Sequence, residues 1–382
     1  LRQLGLVNLN DADESNGSTK VTDDTMLGYE TNGVYVKYGT KEFYAGRTDT
    51  TTATSPISNF APTRGGYTFK GWALSTDTGT LITDNKGVLI NNWNLSSADG
   101  VTLVAQWQAN TYTVVFNGNG STSGSVASQS FKFDVAQKLN KNNYVRNGYI
   151  FKGWALSKEA TVENYEDEQE VSNLTEEANG TVNLHAVWEA RTVVVTFNLN
   201  DASAGNGSTT ATLTSGATTM NVKYSLTFAS LYVTDPNSPT GLPEAQRHGY
   251  TFDGWYIGDT KIENSHLVAT YDDGLTLSLT LTAHWTAKKY NVVYDGNNGT
   301  VGEQTTVNGV QATFDQDYLI LPNSNEALGF IRTGYTFAGW GFARGGDIEY
   351  ATGELGSDGL SVPFNFSASQ LSNDTLTLFA HW

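Results

Sequence analysis

Gly66–Trp72 reads GYTFKGW, and the phrase returns as GYIFKGW at Gly148–Trp154, GYTFDGW at Gly249–Trp255 and GYTFAGW at Gly334–Trp340. A second block follows each at a variable distance: LVAQW at Leu103–Trp107, LHAVW at Leu184–Trp188, LTAHW at Leu281–Trp285 and LFAHW at Leu378–Trp382. A third block precedes them, as YTVVFNGNG at Tyr112–Gly120, VVVTFNLND at Val193–Asp201 and YNVVYDGNN at Tyr290–Asn298. The first copy diverges there, although LVNLND at Leu6–Asp11 lines up with TFNLND at Thr196–Asp201. Self-similarity of this kind marks a repeat architecture. The closing tryptophans place the copies at 1–107, 108–188, 189–285 and 286–382. Their length differences fall between the blocks, where surface connections tolerate insertion.

Each block reads as a strand. In Leu-x-Ala-x-Trp a period of two puts Leu, Ala and Trp on one face and the variable residues on the other. The outward pairs are Val104/Gln106, His185/Val187, Thr282/His284 and Phe379/His381. The small Ala between two large residues implies close approach by something bulky. In Gly-Tyr-x-Phe-x-Gly-Trp the first Gly suits a turn with positive φ or a close contact, and the second suits a bulge. The expected repeat framework is Tyr67, Phe69, Gly71, Trp72 and Trp107 in the first copy, and Tyr149, Phe151, Gly153, Trp154 and Trp188 in the second. It continues as Tyr250, Phe252, Gly254, Trp255 and Trp285, then Tyr335, Phe337, Gly339, Trp340 and Trp382.

A weaker middle strand is expected from VYVKYG at Val34–Gly39 and NVKYS at Asn221–Ser225, with looser counterparts at Phe131–Phe133 and Ala312–Phe314. That makes about four strands per copy in a mainly β fold. Helical periodicity is nearly absent, with short turns of helix, capped by Asn or Ser, expected near Asn94–Ala98 and Asn365–Gln370. With no cysteine in the chain, each copy must rely on its aromatic core. Burying one large aromatic contributes on the order of 2–3 kcal/mol.

The net charge of −17 sets 22 basic against 39 acidic residues, and no Lys/Arg cluster is present to bind a phosphate backbone. Nucleic acid is therefore not an expected partner, and anionic lipid is disfavoured for the same reason. The absence of cysteine removes disulfides, thiolate metal sites and Cys nucleophiles. No apolar run is long enough to span a bilayer, so no membrane insertion is expected in this segment. If the protein is exported, its leader and sorting segment are expected to have been removed or to lie outside this stretch.

These three blocks closely resemble the Listeria–Bacteroides repeat family, also known as the internalin B-type repeat, and together the copies cover essentially the whole sequence. The resemblance implies small β-grasp-like modules in tandem within bacterial surface proteins, between an anchor and a distal recognition domain. It carries no catalytic residues over. The long stretches Asp11–Gly33 and Thr234–Arg247 depart from the pattern. If first and last strands are parallel neighbours, as the β-grasp fold implies, the two termini of a repeat lie at opposite poles. Short linkers such as Gln108–Thr111 would then give a semi-rigid rod. An eight-residue strand spans about 26 Å, so four modules end to end should exceed roughly 100 Å.

Nothing in the sequence assembles a catalytic constellation or a cofactor site, and no enzyme is expected. The five His residues do not form a set, since His284 and His381 occupy one outward position in different copies. The Asp11–Gly17 stretch departs from a calcium loop because Gly comes one position late and Thr22 stands at the twelfth position. The acidic run from Glu163 to Glu177 reads as a solvated face. Trp93 reads as framework, because Trp93-Asn-Leu-Ser matches Phe364-Asn-Phe-Ser. Tyr256 and Phe342, next to the Gly-Trp step, are the candidates for ligand contact. The expectation is a structural stalk or spacer of an adhesin at the bacterial cell surface, its partners being other repeats of the same or neighbouring chains. The alternatives are a subunit of an extracellular filament and a module binding glycan or host surface protein.

Overall fold

The structure, a computed structural model, describes the backbone of residues 5–10, 26–30, 33–38, 41–46, 63–74, 76–81, 83–85 and 101–382. Trp93, the expected turn at Asn94–Ala98 and the Asp11–Gly17 stretch lie outside the described residues. The chain divides into two compact units, one of Leu1–Arg146 with Ile150–Glu189, the other of Asn147–Tyr149 with Ala190–Trp382.

One arrangement recurs in both units. In the first unit the opening strand Thr111–Asn117 pairs in parallel with the closing strand Thr181–Ala190, Val114 facing Val182. Gln129–Lys132 flanks the opening strand and Tyr149–Ala155 flanks the closing one. In the second unit Thr192–Asn198 and Ser278–Ala287 form the parallel pair, flanked by Thr219–Lys223 and Tyr250–Ile257. Lys289–Asp295 and Thr375–His381 form another, flanked by Thr306–Asn308 and Gly339–Gly341. Gly5–Asn10 and Val101–Ala109 are parallel in the first unit as well. A parallel pair needs a long crossover, which the residues between opening and closing strands supply. Each sheet therefore starts its chain at one end and releases it at the other.

Alternation explains the cores. Tyr112, Val114 and Phe116 are buried from one opening strand, as are Val193, Val195 and Phe197, and Tyr290, Val292 and Tyr294, from the others. Leu184 and Ala186, Leu281 and Ala283, and Leu378 and Ala380 face them at 0% exposure. The Ala is small because the Gly-Trp indole lies in this layer. Trp154 meets Phe116 at 4.8 Å between ring centroids, Trp255 meets Phe197 at 4.8 Å, and Trp340 meets Tyr294 at 4.9 Å. The Phe of the motif is held between two indoles: Phe151 lies 5.0 Å from Trp154 and 5.5 Å from Trp188. The Gly before Trp is the expected bulge. The register slips between Phe69 and Gly71 and between Phe252 and Gly254. There φ is +138° at Gly71 and +125° at Gly254, angles that side-chain-bearing residues rarely adopt.

Several expectations are corrected. The closing Trp is not fully inward with Leu and Ala. It is partly buried at the core's end, and the indole N–H of Trp188, Trp285 and Trp382 donates to the turn after the opening strand, to Gly118 O at 2.9 Å, Leu199 O at 2.7 Å and Gly296 O at 2.9 Å. Reaching these carbonyls places the three indoles at the rim. Val187, assigned to the outer face, is buried. Asn365–Gln370 forms no helix; Ser367 and Gln370 close a turn instead. In the first sheet the neighbour of the opening strand is Met26–Glu30, and Gly33–Tyr38, which carries VYVK, pairs one strand further out.

The turn after each opening strand is pinned to the closing strand by an Asn in the left-handed region. Asn119, Asn200 and Asn297 have φ of +46°, +50° and +45°. Their side-chain amides donate to Ala186 O, Ala283 O and Ala380 O at 2.9, 3.1 and 2.8 Å. Asn tolerates this conformation better than other side-chain-bearing residues. Asn297→Ala should therefore cost about 1–3 kcal/mol, measured by equilibrium denaturation, because it strands a partly buried carbonyl and strains the turn.

Candidate functional site: the junctions between repeats

The residues with the most repeated geometry outside the cores sit where one repeat hands over to the next. In the first unit, Asn110 lies between the closing strand Val101–Ala109 and the opening strand Thr111–Asn117. Its N–H donates to Gly66 O at 2.8 Å and its carbonyl accepts from Phe133 N at 2.9 Å. Within the second unit, Lys288 N donates to Gly249 O at 2.9 Å while Phe314 N donates to Lys288 O at 3.0 Å. Arg191 N likewise donates to Gly148 O at 2.8 Å, and Tyr224 N to Arg191 O at 2.9 Å. One linker residue thus bridges the motif Gly to an aromatic that follows it in sequence.

That aromatic explains the first Gly of the motif. Gly66, Gly148 and Gly249 have φ of +76°, +78° and +81°. A Cβ on them would lie 2.3 Å from the Phe133 ring, 2.2 Å from the Tyr224 ring and 2.3 Å from the Phe314 ring. Both readings of this Gly, positive φ and close contact, therefore apply. The motif Tyr then packs edge-on against the same ring: Tyr67 on Phe133 at 5.6 Å, Tyr149 on Tyr224 at 5.8 Å and Tyr250 on Phe314 at 5.6 Å.

Two further side chains complete the contact. Arg64 lies over the Tyr67 ring at 3.7 Å and Arg247 over the Tyr250 ring at 3.8 Å, cation–π distances. Tyr67 donates to Asp134 at 2.5 Å and Tyr250 to Asp315 at 2.5 Å. The Asp follows the docking Phe and sits in the left-handed region, with φ of +60° at Asp134 and +58° at Asp315. Asp134 also exchanges hydrogen bonds with Asn173, and Asp315 accepts from Ser208 N at 2.9 Å. Ser225 stands at the corresponding place after Tyr224.

Electrostatics at Asp315 are asymmetric. Burial alone would raise its pKa, but hydrogen bonds from Ser208 and Tyr250, together with the Arg247 charge, hold it below the usual carboxylate value. Burial, reinforced by Asp315, pushes the Tyr250 phenol up to about 12. A depressed carboxyl contributes stability above its unfolded pKa, about 3.9, that is lost as pH falls through the folded value. A raised phenol contributes stability below about 10 that is lost as pH rises through about 12. The contact should hold through neutral pH and loosen below about pH 4, which hydrogen exchange at Phe314 and Lys288 will report. Tyr250→Phe should cost about 1.5–3 kcal/mol by denaturation, the range for a hydrogen bond to a charged group.

The expected ligand-contact residues lie elsewhere and apart. Tyr256 stacks on His284, centroids 3.8 Å apart and planes 9° from parallel. Phe342 packs edge-on against Phe366 at 5.5 Å and Tyr350 at 6.1 Å. His248 Nε2 lies 2.8 Å from Phe366 O, while His266 Nδ1 lies 3.0 Å from the Tyr271 hydroxyl. In the acidic run Glu163 is half-buried and the remaining carboxylates are exposed. Among the described residues no three His, Asp or Glu side chains gather as a metal-holding group, and no helix is long and apolar enough to cross a membrane. An open polar cavity of about 480 Å³ lies beside Tyr250, lined by Thr210, Thr212, Gln246, His248 and Lys288 among others.

Sequence reasoning missed the arginines, the linker residues and the aspartates. The arginines carried a signal: Arg-x-Gly-Tyr recurs at Arg64, Arg146, Arg247 and Arg332, half of the eight arginines in the chain. The linker residues Asn110, Arg191 and Lys288 carried none, because their backbone groups do the bridging.

The chain is 25% identical over 331 residues to a protein of Evansella cellulosilytica named "Putative membrane protein", covering 84% of this chain and 39% of that one. It is 24% identical over 324 residues to another from the same organism, named "Putative Gly-rich membrane protein", covering 84% of this chain and 31% of that one. The chain thus spans less than half the length of either relative. A solved structure, the Bacillus anthracis TIE protein, aligns over 96% of this chain and 75% of its own at 9% identity, with a TM-score of 0.22, too low to transfer a fold. Residues 26–105, 112–181 and 290–381 each match the Listeria-Bacteroides repeat domain. Those matches take in more than half of the sequence, and the protein belongs to the Listeria-Bacteroides repeat domain family.

Proposed function

We propose that this chain is a non-enzymatic structural region of a bacterial cell-surface protein, a stalk or spacer that carries an adhesive domain away from its anchor. Its four modules, 1–107, 108–188, 189–285 and 286–382, are of the internalin B type and lie end to end as a semi-rigid rod. The observation that carries this reading is the linker bridge. Asn110, Arg191 and Lys288 each use both backbone hydrogen-bonding groups to hold the motif Gly and the following aromatic. A flexible tether would leave such groups to water, whereas a spacer gains reach from having them fixed. The relatives named as membrane proteins fit a chain held at the cell envelope.

Small-angle scattering and negative-stain microscopy over a concentration series test the reading. Extended single particles at every concentration support the spacer. A compact particle overturns it, and concentration-dependent fibres make the chain a filament subunit instead.

A further inference from the structure

The copy at 189–285 carries a ribbon that the copies on either side reduce to a single bridge. Ala211–Leu213 and Ala245–Arg247 pair antiparallel, with Ala211 opposite Arg247, Thr212 opposite Gln246 and Leu213 opposite Ala245. At the same crossing its neighbours have only Ser123 opposite Val145 and Thr300 opposite Ile331. Alternation along the ribbon buries Ala211, Ala245 and Arg247 and turns Thr212 and Gln246 outward. One step further along, Thr210 and His248 share that outer face, and Thr209 Oγ1 holds the chain there by donating to His248 O at 2.8 Å. Lys288 stands beside them, its backbone fixed because its N–H donates to Gly249 O and its carbonyl accepts from Phe314 N. These side chains line the open cavity of about 480 Å³ beside Tyr250, a volume within the range of small-molecule sites.

The chemistry of the lining is selective. No carboxylate lines the cavity, although the chain has 39 acidic residues against 22 basic ones. Asp315, which Tyr250 contacts, is taken up by that hydroxyl and by Ser208 N. Lys288 makes no ion pair among the described residues. His248 Nε2 lies 2.8 Å from Phe366 O; a carbonyl only accepts, so this nitrogen carries the proton and the neutral ring leaves Nδ1 an acceptor. The Thr210 and Thr212 hydroxyls and the Gln246 amide can each donate and accept.

We propose that this cavity binds an acidic saccharide, with ring hydroxyls on Thr210, Thr212, Gln246 and His248 and a carboxylate on the Lys288 ammonium. Sugar hydroxyls both give and take hydrogen bonds, which is the mixture this face offers. A bare phosphate would use the donors and leave the His248 and Gln246 acceptors unmatched. An apolar ligand would strand the polar side chains, and a metal cation would meet no carboxylate. The charge-assisted bond to Lys288 sets the preference for an acid and orients the ring. Because the cavity is open to water, a single site should bind at about millimolar Kd. The proposal does not depend on the stalk reading.

Amide NMR titration of the full chain tests it, with trigalacturonate as the probe, galactotriose as its neutral counterpart and inorganic phosphate as the bare anion. Trigalacturonate should give saturable shifts centred on Thr212, Gln246 and Lys288, and galactotriose should bind about tenfold more weakly. Lys288→Gln keeps both backbone bonds of the junction, so the Phe314 amide should stay in place. It should lower trigalacturonate binding about tenfold, to the level of the neutral sugar. Gln246→Val, which copies Val145 of the preceding copy, should weaken both sugars. Absence of saturable shifts overturns the proposal, as does equal binding of the two sugars or indifference to Lys288→Gln. Phosphate binding as tightly as trigalacturonate, with the same shifts, also overturns it, because the site then takes any small anion. Scattering reads none of these outcomes, so failure here and failure of the spacer reading are distinguishable.

Discussion

Trp340→Ala should unfold the repeat that contains it and leave the others standing. The indole is fully buried, donates to Leu321 O at 2.8 Å, and packs against Tyr294, Phe330 and Phe337. Removing it leaves a cavity in the middle of a core built by a module of ordinary small-domain size. The expected cost is about 3–5 kcal/mol, comparable with the lower end of a domain's whole stability. Hydrogen exchange on the full chain reads the outcome by segment. Lys289–Asp295 and Thr375–His381 should lose protection, while Thr111–Asn117 and Thr181–Ala190 keep theirs. Uniform loss across all sheets would show one cooperative core in place of separate ones.

Gly249→Ala should strongly destabilise the junction that Gly249 forms with Phe314. At φ of +81° any side chain costs about 1–2 kcal/mol in backbone strain. The added Cβ would also stand 2.3 Å from the Phe314 ring, which is fully buried and has no room to withdraw. Overpacking of that kind adds about 1–3 kcal/mol. Gly334→Ala provides the matched comparison, because its φ is +83° but nothing lies within 4 Å of its Cβ. The two variants should share the strain and differ by the clash. Equal losses in calorimetry would mean that the ring contact at Gly249 contributes nothing.

Much of the fold was legible. The opening and closing strands could be read because Tyr112, Val114 and Phe116, or Leu281 and Ala283, recur at every second position, and period-two alternation is a local property of a strand. The bulge at Gly71 and Gly254 was legible for a related reason, since a glycine between Phe and Trp breaks that alternation at a fixed place. The rim position of the closing Trp was not. It follows from the indole N–H finding Gly118 O or Gly296 O, and those partners lie 70 and 86 residues away. The displaced VYVK strand fails for the same reason: its likeness to NVKYS is local, whereas its neighbour is set by how the first sheet closes.

The junctions divide in the same way. Recurrence of Gly-Tyr-x-Phe-x-Gly-Trp and Leu-x-Ala-x-Trp was enough to establish a mainly β chain of repeated modules, because burial of alternating side chains depends only on residue order along a strand. That the first Gly serves the next repeat's ring, that Asp134 and Asp315 receive a tyrosine from the preceding repeat, and that Asn110 and Lys288 bridge the two emerged in three dimensions. Those contacts join residues far apart in sequence, 67 positions in the case of Tyr67 and Asp134, and the bridges through Asn110 and Lys288 use backbone groups that every residue carries, so no local pattern announces them.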